Sequence, residues 1–332
     1  MFIVDNVSLA ILFCIVTMLG WGSWANTQKL AGKDRWPFPL FYWDYAIGVL
    51  AFGILFALTF GSFGSAGEPA LANLAHASFP PILRALLSGV LFNIANTLLV
   101  VAIDAAGMSL AFPVGIGLAL VIGTVVTYLQ TPRGNAPMLF SGVALVVCAM
   151  VFSALAYSKL PRREGIHPAR GVIYSVIAGC LMGYFYPQLI GAISPAFQSQ
   201  PIRPGSLTPY SALLIFGTGV FVSNFVVNGI FLKANHLKYS DYRAGTARLH
   251  SIGVLGGAIW MLALCLNVIA SGIAGPAVSY ALGQGATLVA AIWGVFIWKE
   301  FRSAPRAVAP LIVLMFLGYA AGLALIGIAT LR

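Results

Sequence analysis

The sequence predicts an all-α, polytopic membrane protein in which ten transmembrane helices form two inverted five-helix repeats. Composition is the first observation: 60% of the 332 residues are hydrophobic and only 8% are charged, whereas an ordinary soluble domain has about 25% charged residues. The second is that the apolar residues stand in runs of about 20, the length that crosses the hydrocarbon core as a helix. This pattern argues against a soluble enzyme, a nucleic-acid-binding protein and a disordered chain.

Ten apolar runs, separated by turn residues and charges, are the predicted spans. The chain opens with MFIVDNV, which has no basic segment, so we expect the first run to remain as a helix and not to act as a cleaved signal. Continuous apolarity favours helices over alternating strands. The predicted spans are residues 6–28, 41–61, 82–104, 108–130, 137–158, 170–190, 210–232, 251–271, 277–298 and 308–330.

A repeated segment divides the chain into two halves. AGMSLAFPVGIG at 106–117 and AGPAVSYALGQG at 274–285 share Ala106/Ala274, Gly107/Gly275, Gly115/Gly283 and Gly117/Gly285. Because each half has an odd number of spans, the second half enters the membrane with opposite polarity, an arrangement typical of secondary transporters. The predicted units are a first repeat at 1–158, a cytoplasmic linker at 159–169 and a second repeat at 170–332.

The basic residues predict the orientation. With the N-terminus outside, 14 of the 18 lysines and arginines lie in connections on the cytoplasmic side, as the positive-inside rule requires. We therefore expect a multi-pass protein of the cell membrane (inner or plasma membrane) with both termini outside. The net charge of +10 then reflects orientation in the lipid bilayer and not a nucleic-acid partner.

Uncharged polar residues inside the spans are the candidate substrate-binding groups. An amide in hydrocarbon must find hydrogen-bonding partners, and amides offer both donors and acceptors to a polar solute. Helix–helix contacts are the alternative role for each of them. The candidates are Asn93 and Asn96 on the third span, Asn224 and Asn228 on the seventh, and Gln284 on the ninth.

Aromatic residues and helix-breaking residues add further candidates. Trp21, between two glycines, and Tyr184 are predicted to contact substrate, because aromatic faces stack on sugar rings and planar heterocycles. Pro113, together with Gly115 and Gly117, is predicted to interrupt the fourth span and to act in gating, since broken helices expose backbone groups in transporters. The alternatives are a membrane-interface belt for the tryptophan and simple kinking for the proline.

Four stretches resemble one transporter superfamily. They are GWGSWAN at 20–26, NIAN at 93–96, GMSLAFPVGIGLALVIGT at 107–124 and WGVFIWKEF at 293–301. The chain resembles the drug/metabolite transporter superfamily, and within it the branch of rhamnose–proton symporters, glucose/ribose porters and plant ureide permeases. The resemblance implies secondary transport of a small neutral polar solute, first of all a sugar, with a proton as coupling ion and by alternating access.

No acidic residue lies at the centre of a predicted span, so few groups are suited to couple a proton. Asp44, among aromatic residues one turn into the second span, is the candidate for proton coupling. The alternative is an interfacial helix cap. We predict no metal site, no cofactor and no enzyme activity, because no metal-ligand spacing, Walker motif or nucleophile–base pair is present. The residues give no prediction of the oligomeric state.

Several functions remain open at this point. A ureide or nucleobase permease would use the same amides on planar N–H and C=O edges, and a multidrug or metabolite exporter is the third possibility. A membrane sensor that transports nothing is a fourth, and a flux measurement separates it from a carrier.

Overall fold

The computed structural model describes residues 1–32, 35–64, 66–160, 167–198 and 202–330, and these are helical almost throughout. Ten helices are long and apolar enough to cross a membrane, and they confirm the predicted polytopic all-α architecture. Most of the linker predicted at 159–169 lies outside the described residues. The helices are α1 (Val7–Ala31), α2 (Phe38–Leu58), α3 (Phe79–Ala106), α4 (Met108–Gln130), α5 (Ala136–Tyr157), α6 (Pro168–Ala192), α7 (Pro209–Ala234), α8 (Ala247–Ala274), α9 (Pro276–Ile297) and α10 (Ala309–Ile328).

Proline and glycine determine many of the helix ends. Proline stands in the first turn of seven of these helices, where its missing N–H has no intrahelical partner to lose. Gly107 and Gly275 separate α3 from α4 and α8 from α9, with φ of +79° and +84°. Each donates its N–H to the carbonyl four residues earlier, Ile103 and Ser271, so the two repeated segments begin with the same turn.

The α-helical pattern is interrupted in α1, at Trp24, and in α9, and it is not interrupted in α4. The predicted break at Pro113 is wrong, because α4 continues through this residue as a regular helix. Pro113 stands near the N-terminus of α4, where it removes one backbone hydrogen bond, and α4 packs on α6. In α9, by contrast, the α-helix stops at Gly283, resumes at Ala286, and becomes a π-helix at Trp293–Ile297.

The connections contain two short helices that the apolar pattern does not predict. Ala70–His76 lies between α2 and α3, and Tyr239–Arg243 lies between α7 and α8. The second of these places Tyr242 next to the beginning of α2, a position that matters for the site described below.

The helix contacts follow a regular scheme. Each of three contacts between helices has a counterpart between the helices five places away in the chain. The contact of α3 with α6 corresponds to that of α8 with α1, and the contact of α4 with α6 corresponds to that of α9 with α1. The contact of α2 with α8 corresponds to that of α7 with α3. The contacts of α2 with α7, of α4 with α9 and of α5 with α10 complete the bundle. If each helix of α1–α5 is exchanged with its counterpart in α6–α10, this set of contacting helix pairs therefore stays the same.

Glycines allow several of these helices to approach closely. A Cβ at Gly257 would overlap the backbone carbonyl of Tyr45 on α2, and a Cβ at Gly179 would lie 2.6 Å from the carbonyl oxygen of Gly115 on α4. A Cβ at Gly322 would lie 2.8 Å from the carbonyl oxygen of Gly142 on α5. Glycines spaced four apart thus serve helix packing within the chain, the usual role of such pairs in membranes.

Candidate substrate cavity

A cavity of about 240 Å³ lies between the helices and opens towards the end where α1 and α9 finish. It is smaller than the 300–1,000 Å³ or so of typical drug-sized pockets, so it suits a small solute. Eight helices contribute to its walls, which include Trp21, Trp24, Phe92, Asn96, Pro113, Met150, Tyr157, Phe185, Trp260, Gln284, Thr287, Trp293, Trp298 and Tyr319.

Aromatic rings form the inner end of the cavity around Trp260 of α8. The ring of Phe92 stacks on Trp260 with a centroid distance of 4.0 Å, and the ring of Trp21 stacks on it at 5.9 Å. Trp21 is held in this position because its indole N–H donates to the backbone carbonyl of Trp260 at 3.3 Å. These rings offer flat apolar faces to a bound molecule.

Two amides supply the polar edge of the cavity. Gln284 lies where the α-helical pattern of α9 is interrupted, and it lines the cavity. The hydrogen bond that it accepts from Thr287 uses its backbone carbonyl, so among the described residues its side-chain amide has no partner. Asn96 of α3 also lines the cavity and donates to the hydroxyl of Tyr42 at 3.2 Å. This donation leaves the carbonyl oxygen of Asn96 as an acceptor, whereas Gln284 offers both a donor and an acceptor.

Charged side chains lie together at the mouth of the cavity. Lys29 at the end of α1 lies 2.9 Å from the Glu300 carboxylate and 4.7 Å from the centre of the Trp298 ring. Tyr157 of α5 donates to the second oxygen of Glu300 at 2.6 Å. The π-helix and the left-handed conformation of Lys299 (φ +52°) turn the chain so that Glu300 reaches these partners, and such irregular backbone is concentrated at functional sites.

The opposite end of the bundle is tightly packed. The hydroxyl of Tyr210 donates to the carbonyl of Phe2 at 3.0 Å, and Gln198 donates to the carbonyl of Val4 at 2.9 Å. Arg84 of α3 donates to Gln188 of α6 at 2.9 Å. These hydrogen bonds therefore link α3 with α6, and α7 and the segment after α6 with the N-terminal residues, at this end of the bundle.

The predicted site residues lie in different surroundings, and four of them line the cavity. Trp21, Asn96, Gln284 and Pro113 line the cavity. Gly115 packs α4 closely against Leu99 of α3, and Gly117 has only Met150 nearby, at 3.8 Å. Tyr184 is 45% exposed on α6 and is not among the residues lining the cavity, because it lies on a different face from Phe185.

The remaining amides lie buried outside the cavity. Asn93 donates to Ser223 of α7 at 2.9 Å, and Asn228 donates to the carbonyl of Pro39 of α2 at 2.8 Å. Asn224 is fully buried, and neither atom of its amide has a partner among the described residues. Asn93 and Asn228 therefore link α7 by hydrogen bonds to α3 and to α2, and Asn224 lies on α7 one turn before Asn228.

Asp44 also lies away from the cavity. Its side chain is 1% exposed and faces α8 and the connection between α7 and α8, where it accepts hydrogen bonds from Trp36 and Tyr242. The acid that lines the cavity is Glu300, which follows the apolar part of α9 and pairs with Lys29. Trp260, Phe92 and Phe185 were missed by sequence reasoning, since each is one aromatic residue among many in a uniformly apolar run.

Within the described ranges, no group of histidine, cysteine, aspartate and glutamate is arranged to hold a metal ion. The four cysteines are free thiols: Cys14 and Cys265 are buried, and Cys148 and Cys180 are exposed. The site described above therefore consists of aromatic faces, amides and one ion pair.

Comparison with known proteins identifies a family of permeases as similar. The family model of the ureide permeases matches residues 41–165. The chain is similar to ureide permeases. Ureide permease 1 of Arabidopsis thaliana is 23% identical over 98% of this chain and 98% of its own length, and ureide permease 2 is 24% identical over 92% and 93%. Probable ureide permease A3 of Vigna unguiculata is 30% identical over 45% of this chain and 40% of its own length.

A solved crystal structure shares the fold. It covers 95% of this chain and 96% of its own, with a TM-score of 0.62 and 16% sequence identity. This likeness shows the fold, and the permease similarities support a multi-pass membrane transporter rather than an enzyme. Of the groups in the resembled branch, the comparisons support the ureide permeases, and the expectation of a sugar as substrate gains no support from them.

Proposed function

We propose that this protein is a permease for a small, uncharged, planar solute with amide-like edges, of the ureide or nucleobase type. The observation that carries the proposal is the cavity itself, in which the stacked rings of Trp21 and Trp260 lie beside the unpaired amide of Gln284. A planar ring with N–H and C=O groups at its edge can stack on the two tryptophan rings and form hydrogen bonds with the Gln284 amide.

The charge distribution favours an uncharged solute. The charged residues that line the cavity, Lys29 and Glu300, are paired with each other at the mouth. An ionic solute that moved deeper would meet aromatic rings and neutral amides, and it would lose hydration there without gaining a counter-charge.

Among neutral solutes, the similarity to ureide permeases favours a ureide over a sugar. Aromatic rings and amides also suit a sugar, but the named relatives are ureide permeases, and the cavity is small. A sugar–proton symporter is therefore the second reading of the same site. It requires several hydroxyl partners at once, whereas the cavity offers Gln284 and Asn96 as its side-chain amides at the inner end.

Alternating access of two inverted halves is part of the proposal. The repeated glycine turns at Gly107 and Gly275 and the self-matching scheme of helix contacts support a division into α1–α5 and α6–α10. The positive-inside pattern supports termini outside, so that the open end of the cavity, with Lys29 and Glu300, faces the cytoplasm.

Binding to the purified protein tests the proposal. A solute that binds the folded state raises the melting temperature by mass action, and we expect allantoin or uracil to do so more strongly than rhamnose or glucose. Gln284→Leu should weaken this binding about tenfold, since a lost hydrogen bond that leaves a partner unsatisfied costs about 1–3 kcal/mol. Gln130→Leu makes the same chemical change at an exposed position and should bind as the wild type does.

Uptake of the labelled solute into proteoliposomes then separates a carrier from a sensor. Stabilisation by sugars alone would replace the ureide reading by the sugar reading. Binding that Gln284→Leu leaves unchanged, in a variant that melts normally without solute, would remove Gln284 from the site.

A further inference from the structure

The Asp44 carboxylate lies in a polar pocket that is separate from the cavity. Its Oδ1 accepts the hydroxyl of Tyr242 at 2.6 Å and lies 2.8 Å from Nδ1 of His250, and its Oδ2 accepts the indole N–H of Trp36 at 3.1 Å. Both carboxylate oxygens therefore have partners although the side chain is 1% exposed. A buried carboxylate needs such partners to remain in a low-dielectric environment.

His250 connects this pocket with solvent. Its side chain is 28% exposed, and the rings of Trp36 and Tyr242 hold it edge-on at centroid distances of 5.1 and 4.8 Å. Histidine is the side chain whose charge ordinarily changes between about pH 5 and 8. A protonated His250 would form an ion pair with the Asp44 carboxylate. A neutral His250 would form only a hydrogen bond with it.

Few other ionisable groups face Asp44 in the described part of the chain. Tyr242 comes from the connection between α7 and α8, and burial together with the hydrogen bond to Asp44 raises its pKa above the ordinary value, so it remains a neutral donor. The neighbouring side of α7 packs on α2 through Phe225 and Asn228, which carry no charge. Exchange of a proton is therefore confined to Asp44 and His250.

Glycines make room for the pocket. A Cβ at Gly253 of α8 would overlap the Cβ of Asp44 and lie 3.0 Å from its Oδ2, and a Cβ at Gly245 would lie 2.7 Å from Nε2 of His250. The pocket therefore lies directly in the contact between α2 and α8, and a change in its charge acts on that contact.

Helix α2 connects the Asp44 pocket with the cavity, so a change of charge in the pocket can act on the cavity. On α2, Tyr42 and Tyr45 flank Asp44 in sequence and face inwards. Tyr42 accepts the hydrogen bond of Asn96, and the ring of Tyr45 lies 4.8 Å from that of Trp24. Asn96 and Trp24 both line the cavity.

We propose that Asp44 and His250 form a proton-binding couple outside the solute cavity, which takes up one proton from solvent at the His250 imidazole and alters the cavity through α2. The couple extends the earlier expectation for Asp44, and its effect on affinity rests on the proposed function, namely that the cavity binds a solute. Protonation creates the ion pair and strengthens the α2–α8 contact, and release of the proton to solvent weakens it.

The test measures melting temperature and solute affinity at pH 5.5, 6.5 and 7.5 with the full-length protein. We expect the wild-type affinity to change severalfold over this range, and His250→Gln and Asp44→Asn to bind solute with a flat pH profile. His76→Gln is the matched control and should keep the wild-type profile, because it removes a histidine that pairs with Glu68 at 3.1 Å elsewhere on the surface. Tyr242→Phe should shift the profile along the pH axis, because it removes a donor to Asp44 and leaves both ionisable partners.

The outcomes separate this inference from the proposed function. A wild-type pH profile in His250→Gln, or a wild-type protein with flat affinity and melting temperature, overturns the couple and leaves the permease proposal intact. If no solute binds at any pH, the proposed function fails. The couple is then tested by the melting temperature without solute, whose pH dependence should be smaller in both variants than in the wild type.

Discussion

Gly257→Ala is the sharpest test of how α2 and α8 are packed. A Cβ at this position would overlap the carbonyl oxygen of Tyr45, and it would lie 2.8 Å from the Tyr45 carbonyl carbon and 2.9 Å from the Val49 nitrogen. All three atoms belong to the backbone of α2, so no side chain can rotate away. The two helices must move apart, and the contacts on both sides of Gly257 must open.

The magnitude follows from two opposing effects. Overpacking of a well-packed interior costs about 1–3 kcal/mol, and we expect the upper end because only backbone is in the way. Alanine is favoured over glycine within a helix by about 1 kcal/mol. The net loss should be about 2 kcal/mol, which corresponds to a fall in melting temperature of about 4–8 °C on the scale of about 2–4 °C per kcal/mol for larger domains.

Thermal unfolding of the detergent-purified protein measures this loss, and Gly327→Ala provides the control. Gly327 lies in α10 and has no atom within 4 Å of the position of an added Cβ, so the substitution should be neutral or slightly stabilising. Equal melting temperatures for Gly257→Ala and Gly327→Ala would refute the close α2–α8 contact, and with it the structural basis for coupling Asp44 to the cavity.

Two further predictions concern the cavity. A double-mutant cycle with Lys29→Met and Glu300→Gln should give a coupling energy of about 0.5–1 kcal/mol, because the side chains are 47% and 26% exposed and solvent screens such pairs; additive effects in thermal unfolding would show that the pair contributes nothing. Trp260→Phe should weaken binding of the stabilising solute by about 0.5–1.5 kcal/mol, the contribution of aromatic stacking, and wild-type affinity in a normally folded variant would remove this ring from the site.

The spans could be predicted closely because the membrane imposes their length and composition. A chain that crosses hydrocarbon must satisfy its backbone groups internally and present about 20 apolar residues, and both requirements are visible in the residues alone. The turns at Gly107 and Gly275 are also predictable as equivalent positions, since the same glycines recur at the same places in both repeated segments. Their shared positive φ is what such a glycine permits.

The direction in which each polar side chain points could not be predicted with the same success. Asn93 and Asn96 stand one turn apart on α3, and spacing places them on a similar face. In the structure Asn93 bonds to Ser223 of α7, whereas Asn96 lines the cavity. Spacing along one helix defines a face, but it does not say which neighbouring helix that face meets.

The sequence by itself determined the fold class, the ten spans and the polar inventory of the protein, because these depend on local composition and on the energetic cost of placing polar groups in lipid. Tertiary structure alone decided that Trp260 and Gln284 line one cavity, that Glu300 pairs with Lys29 at its mouth, and that Asp44 meets His250 outside it. These partners lie far apart in the chain. They meet only because glycines such as Gly257 let particular helices approach at particular rotations, and short-range sequence patterns carry no information about that rotation.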